Sequence, residues 1–99
     1  MSVQAISKLI ASHDYGLYKN LSASGLVETG QGTLQGVIVN SHSSGTLKFW
    51  DNTSATTTVL FNTITLAAGE RWIPFFGAKF TIGLYLTIGG TADITVIYN

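Results

Sequence analysis

Residues 80–98, FTIGLYLTIGGTADITVIY, carry the pattern that decides the fold. On both sides of the central Gly-Gly pair, apolar residues alternate with polar or small ones, and a period of two is typical of strands with one buried face. A two-residue Gly-Gly loop would place Asp93 opposite Leu86 on the apolar face, whereas one residue of stagger places Ile94 there. We therefore predict a hairpin with an odd-length loop or a bulge, in which Leu86 lies opposite Ile94.

The rest of the chain continues this succession of strands and turns. Stretches with strand character cover residues 17–21, 25–29, 33–41, 46–51, 57–66 and 71–76. Turn-prone residues recur between them every ~8–12 residues, which is typical of a sandwich or barrel, and no stretch shows sustained helical spacing. The sequence predicts an all-β fold: one small antiparallel β-sandwich over residues 1–99, jelly-roll-like, with six to eight strands. Residues 1–12 are a candidate N-terminal arm.

Charged residues are scarce in this chain. They make up 10% of its 99 residues, and Ser and Thr fill about a fifth, whereas average soluble domains carry about 25% charged residues. A surface so poor in charge offers little resistance to association. The composition favours a protein that works in an assembly, and we expect a homo-oligomer.

The charge balance and the apolar runs also bear on partners and location. The net charge is zero, and the basic residues form no run that would contact several phosphates. We expect neither nucleic acid nor an anionic membrane surface as a partner. The longest apolar run, residues 72–76, is far short of the ~20 residues of a membrane helix. The N-terminus lacks the apolar block of a signal peptide, so we expect a cytoplasmic product.

Few residues are suited to catalysis. His13-Asp14 is the one adjacent histidine–carboxylate pair, and His42 sits in a Ser-rich segment. A Ser–His–Asp site depends on geometry, so a small hydrolase built on His13 and Asp14 is the third functional alternative. Two histidines without a cysteine fall short of a zinc site. We expect no catalytic residue, cofactor or metal, both histidines in solvated loops, and Asp51 as an acceptor of backbone hydrogen bonds.

Aromatic residues supply the candidate contact surfaces. Trp72, Phe75 and Phe76 surround Pro74, which places their segment at a sheet edge or a bulge. Exposed aromatic residues are common interface anchors and also stack on sugars. These three are therefore candidates for contact with another subunit or the shell, with burial in the core and stacking on a sugar as the other interpretations. Trp50 is the candidate platform for stacking a sugar.

The apolar N-terminal stretch has no evident place in the sandwich. Residues 2–10 are compatible with a strand or with a short helical turn. We expect this stretch to help attach the protein to a neighbour, with Ile6 and Leu9 as the candidate contacts.

Two parts of the sequence resemble a known family. They are GVIVNS at 36–41 with GTLKFWDN at 45–52, and FTIGL at 80–84 with GGTADITV at 89–96 and Tyr98. These runs are similar to small virion proteins of tailed bacteriophages, of the capsid decoration or cement type. The resemblance covers residues 33–98. It implies a β-sandwich subunit without an active site, made in the host cytoplasm, that contacts the major capsid protein or other virion subunits.

A second function is compatible with the same sequence. It is a carbohydrate- or receptor-binding module of a virion fibre or spike, which would use Trp50 and the loop at 51–58. A glycan array separates the two alternatives, because a cement protein binds shells and a lectin binds glycans.

Overall fold

The computed structural model describes residues 16–99, and all regular structure in this part of the chain is β. The strands are β1 (Leu17–Leu21), β2 (Gly25–Thr29), β3 (Gly32–Trp50), β4 (Val59–Thr65), β5 (Trp72–Phe80) and β6 (Gly83–Tyr98). All strand pairs are antiparallel. The predicted all-β class is confirmed, and β1 and β2 have the predicted bounds. The described part of the chain contains no helix that could cross a membrane.

The two longest strands form the centre of the sheet. β3 pairs with β6 along a ladder that runs from Leu34 opposite Tyr98 to Trp50 opposite Tyr85. Each of the other strands pairs edge to edge with one half of β3 or of β6. β5 pairs with the first half of β3 and β4 with its second half, while β2 pairs with the first half of β6 and β1 with its second half. Within residues 16–99, one sheet therefore holds six strands.

This single sheet folds over onto itself. A straight strand of 19 residues would be about 63 Å long, but the molecule extends only 47 Å along its longest axis and 19 Å along its shortest. Phe49 is in the second half of β3, whereas Phe75 is on β5, which pairs with the first half. Their ring centroids are nevertheless 5.1 Å apart. The two halves therefore face each other as the layers of a sandwich.

The core lies between these layers. We call them the β5 layer, which contains β1, β5 and the adjoining halves of β3 and β6, and the β4 layer, which contains β2, β4 and the other halves. The alternation predicted from the sequence is confirmed by burial, because the inward side chains are the apolar ones. The largest fully buried side chains are Phe49, Phe80, Leu34, Leu47, Leu84, Leu86, Ile94, Val37, Val39 and Val96.

The predicted hairpin around the Gly-Gly pair is wrong, because β6 passes through that pair without reversing. Leu86 lies opposite Phe49, and Ile94 lies opposite Val39, so both pair with β3 and not with each other. Leu86 and Ile94 are both buried, as predicted, but they do not lie opposite each other.

The turn predicted at residues 41–45 is likewise a bend within β3. Ser44 and Gly90 both have left-handed backbone conformations, with φ of 51° and 68°. They touch across the β3–β6 pair, because a Cβ atom on Gly90 would overlap the Ser44 carbonyl oxygen. The ladder shifts register at this contact, between Ser43 and Thr46, and once more shortly before it, between Val39 and Ser41. The Ser-rich segment of β3 and the Gly-Gly pair of β6 thus lie opposite each other, and both strands bend at this point. The shared bend folds the sheet.

Candidate functional site

The three aromatic residues predicted as one interface lie in three different environments. β5 pairs only with β3 among the described strands, so it is an edge strand, as its proline predicted. Phe75 is only 6% exposed and packs against the rings of Phe49 and Phe61. Its assignment to an interface is therefore corrected: the pleat of β5 turns Phe75 into the core, while Trp72 and Phe76 are exposed.

Phe76 protrudes from a bulge of this edge strand. Residues 75–77 lie at the point where the register between β3 and β5 shifts, opposite Gln35. The Phe76 side chain is 88% exposed, and its φ of 58° is left-handed. That conformation costs a non-glycine residue roughly 1–2 kcal/mol. Because the ring is so exposed, packing within the subunit contributes almost no free energy to offset this cost. A strained and exposed aromatic side chain is suited to contact with another molecule.

Trp72 belongs to a different surface, the outer face of the β5 layer. Its ring covers Gly36, where a Cβ atom would overlap it, and Ile38 is its partner in the ladder. Farther across the sheet, Tyr18 on β1 lies opposite Ile97 on β6. Tyr18 is 75% exposed and Trp72 49%. We call Tyr18, Ile38, Trp72 and Ile97 the outer apolar patch.

A polar cluster of Asn20, Asn40, Asp93 and Thr95 borders the outer apolar patch. The Nδ2 groups of Asn20 and Asn40 donate to Asp93 Oδ1 at 2.6 and 3.1 Å, and to Thr95 Oγ1 at 3.2 and 2.9 Å. Thr95 is the ladder partner of Asn20 on one side and of Ile38 on the other. The cluster therefore shares the face of the patch and fixes two amide groups in place.

Trp50, the predicted sugar platform, is held by its neighbours. Its Nε1–H donates to Thr87 Oγ1 at 3.0 Å, and Lys48 Nζ lies 4.4 Å from its ring centroid. This cation–π contact occupies one face of the indole. A sugar could stack on that face only by displacing the ammonium group, so Trp50 is less suited to stacking than the exposed rings of the β5 layer.

Asp51 closes the β5–β6 turn onto the end of β3. Its Oδ1 accepts hydrogen bonds from the backbone N–H groups of Ile82 at 2.8 Å, Thr81 at 3.0 Å and Gly83 at 3.4 Å. Burial raises the pKa of Asp51, but these backbone hydrogen bonds and that of the Thr81 hydroxyl outweigh it and hold the pKa below its ordinary value. The predicted backbone acceptor role is confirmed, although the donors belong to a distant turn.

His42 is a structural link between β3 and the loop after β4. Gly45 N–H donates to its Nδ1 at 3.3 Å, and its Nε2 lies 2.8 Å from the Ala67 carbonyl oxygen. A neutral ring with the proton on Nε2 satisfies both contacts. The solvated loop position predicted for His42 is wrong, because the residue is half-buried within β3. It borders an open cleft of about 600 Å³, together with Glu70 and Arg71.

Four of the candidate residues lie outside the described residues: Ile6, Leu9, His13 and Asp14. The attachment role of the first two and the hydrolase alternative built on the last two remain predictions. Among residues 16–99, no three His, Cys, Asp or Glu side chains come together as a metal site would require.

Sequence reasoning missed the outer apolar patch and the polar cluster. The sequence of β1 and β6 contains a sign of the patch. Tyr18 and Ile97 are apolar residues at outward positions, next to the polar outward residues Asn20 and Thr95. An apolar residue on the solvent side of a strand shows a surface patch only when its cross-strand neighbours are known, and those depend on the register. Comparison of the chain with protein-family models, curated proteins and solved structures finds no match.

Proposed function

We propose that this chain is a structural subunit of a virion, which decorates or cements a phage capsid and acts as a homo-oligomer. The residues that resemble phage virion proteins support this function, and so do the β-sandwich fold and the charged share of 10%. The partners are the major capsid protein or other virion subunits. Such a subunit needs a binding surface and no chemistry of its own.

The observation that carries the proposal is Phe76. Its strain of roughly 1–2 kcal/mol brings the isolated subunit no packing in return, because the ring is 88% exposed. Burial of a phenylalanine side chain in a pocket of a neighbouring subunit is worth about 1.5–3 kcal/mol. Contact with a neighbour therefore offsets the strain, and an aromatic anchor at an edge is typical of residues that dominate interfaces.

Replacement of Phe76 by glycine separates binding from folding. Glycine adopts a positive φ without steric cost, although it also frees the unfolded chain. We expect the free energy of unfolding to stay within about 1 kcal/mol of the wild type. Self-association, measured by sedimentation velocity at micromolar concentration, and co-sedimentation with capsid shells should weaken about tenfold or more.

Ile82→Ser is the matched control, because Ile82 is also a large exposed apolar residue but lies in the β5–β6 turn. It should leave association unchanged. A wild-type protein that stays monomeric and ignores shells, or a Phe76→Gly variant that associates as well as the wild type, would contradict the proposal.

A further inference from the structure

Aromatic and polar side chains adjoin in two rows on the outer face of the β5 layer. One row crosses the sheet as Tyr18, Ile97 and Gly36, and the next as Asn20, Thr95, Ile38 and Trp72. Partners in a row lie about 5 Å apart, and the rows are about 6.6 Å apart. Tyr18 is thus next to Asn20 along β1, and the Trp72 ring reaches from its own row over Gly36.

The polar cluster presents fixed acceptor atoms that residues 16–99 leave unused. Its amide Nδ2 groups are engaged within the cluster. In contrast, Asp93 Oδ2 and the Oδ1 atoms of Asn20 and Asn40 accept no hydrogen bond from residues 16–99. Hydroxyl groups are the complementary donors, and a carboxylate oxygen makes the stronger bond with them.

The size of this face favours a small ligand. Four strands at a spacing of ~4.8 Å and three residue rows, namely the two rows above and the next row with Asn40 and Asp93, cover roughly 400 Å² with their side chains. A stable protein interface needs about 800 Å² from each partner. The face is therefore about half of what a folded protein would need, whereas a short oligosaccharide can be covered by it.

The charge of this face favours a neutral ligand. Among the residues of the outer apolar patch and the polar cluster, Asp93 alone is charged. Lys19, which follows Tyr18 on β1, has its Nζ bound to the Leu26 carbonyl oxygen at 2.8 Å. Arg71 precedes β5 at the border of this face and lines a cleft together with Asn40. Its positive charge balances that of Asp93, so the face has no net charge that would attract an acidic sugar.

We propose that this face binds a short neutral oligosaccharide. Tyr18 and Trp72 stack against the sugar rings, since the negative faces of aromatic rings attract polarised C–H groups. Asp93 Oδ2 and the two asparagine Oδ1 atoms accept hydrogen bonds from sugar hydroxyls. This function goes beyond capsid attachment and is tested separately from it, because Phe76 belongs neither to the outer apolar patch nor to the polar cluster.

The test is a glycan array followed by NMR titration of the full chain with maltotriose, N-acetylchitotriose, sialyllactose and the strongest array ligands. We expect a neutral oligosaccharide to shift the side-chain amide signals of Asn20 and Asn40 and the indole signal of Trp72, saturably and at millimolar concentration or below. Lactose and sialyllactose form a matched pair, and the acidic sugar should bind no more tightly than lactose.

Asp93→Asn is the sharpest variant for this test. The new Oδ1 still accepts from both asparagines, whereas the acceptor Oδ2 becomes a donor, so the fold is kept while a ligand contact is inverted. We expect roughly tenfold weaker binding for Asp93→Asn and for Trp72→Ala. Tyr85→Leu is the aromatic control and Glu28→Gln the carboxylate control, because both residues lie in the β4 layer. Both variants should bind like the wild type.

Two results would overturn the proposal. One is the absence of saturable binding to any glycan on the array. The other is binding that shifts Trp50 and leaves Trp72, Asn20 and Asn40 unmoved. Neither result bears on the role of Phe76 in association, so the two proposals fail separately.

Discussion

Asp51 shows how one side chain can hold two distant turns together. It accepts five hydrogen bonds from the turn after β5: from three backbone N–H groups, one of them shared by both carboxylate oxygens, and from one hydroxyl. Asp51 itself directly follows β3, and its own N–H donates to the Thr58 carbonyl oxygen across the following loop. The carboxylate therefore joins the loop after β3 to the turn between β5 and β6.

Replacement of Asp51 by asparagine should destabilise the protein at neutral pH. The amide loses the charge that strengthens these hydrogen bonds, and because the site is partly open to solvent we expect a loss of roughly 1–2 kcal/mol. The folded-state pKa of Asp51 is lowered, so its contribution is present above the unfolded pKa of about 3.9 and is lost as the pH falls through the lower folded value.

Urea denaturation of wild type and Asp51→Asn from pH 7 down to pH 2 measures this contribution. The difference in unfolding free energy should be constant near neutrality and shrink below about pH 4. A difference that does not change with pH would show that the charge of Asp51 contributes nothing.

At the scale of single residues, pattern reasoning placed the edge strand correctly but not its side chains. Pro74 was enough to predict that β5 lies at an edge. Which aromatic residue faces inward depends on the bulge opposite Gln35, because an extra residue changes the side on which every later side chain emerges. Nothing local in the sequence distinguishes Phe75 from Phe76.

At the scale of elements, the bend shared by β3 and β6 is the feature that makes a sandwich from one sheet. A glycine is required at position 90 for two reasons: its φ of 68° is left-handed, and the Ser44 carbonyl oxygen occupies the place of a Cβ atom. Gly69, in the loop between β4 and β5, has a φ of 80°, but no atom of residues 16–99 lies within 4 Å of the place that a Cβ atom would take. A substitution at Gly69 therefore tests the effect of a positive φ alone, whereas one at Gly90 also tests the effect of the close contact between the strands.

Gly90→Ala should therefore cost more stability than Gly69→Ala. We expect about 1 kcal/mol for Gly69→Ala, from φ alone. For Gly90→Ala, where two strands must also move apart, we expect about 3 kcal/mol or more. Equal losses in urea denaturation would mean that the strands do not meet closely at the bend.

The bend also marks the limit of what the sequence predicts about the elements. Alternation predicted strands on both sides of the Gly-Gly pair, and the bounds of β1 and β2 agree with the prediction. A Ser-rich run and a Gly-Gly pair each indicate a reversal when considered alone. The two segments form one shared bend because they lie opposite each other on paired strands. This pairing joins residues far apart in the sequence, so local patterns do not predict it.

At the scale of the whole molecule, the sheet has two central strands and four outer ones. β3 and β6 are hydrogen-bonded on both sides over most of their length, while β1, β2, β4 and β5 each pair with one described neighbour. The same division decides which surfaces are open to partners, because an outer strand leaves one row of backbone groups unpaired.

Amide hydrogen exchange should reproduce this division. Backbone amides of Val37, Leu47 and Ile94, whose side chains are fully buried in the central strands, should exchange most slowly. The hydrogen-bonded amides of the outer strands should exchange faster at the same pH and temperature. Slowest exchange in β1 or β4 would show that the centre of stability lies elsewhere.

The central ladder also sets the order of events when the chain folds. β3 and β6 meet across separations that grow from 35 residues, between Trp50 and Tyr85, to 64 residues, between Leu34 and Tyr98. No early hairpin can substitute for this pairing, because the entropic cost of closing so long a loop comes before its contacts form. Proteins dominated by such distant pairings fold in roughly milliseconds to seconds. During synthesis, β4 and β5 emerge first and can pair with one edge of β3, but its other edge stays unpaired until β6 has emerged. In this interval the chain is most exposed to misassociation.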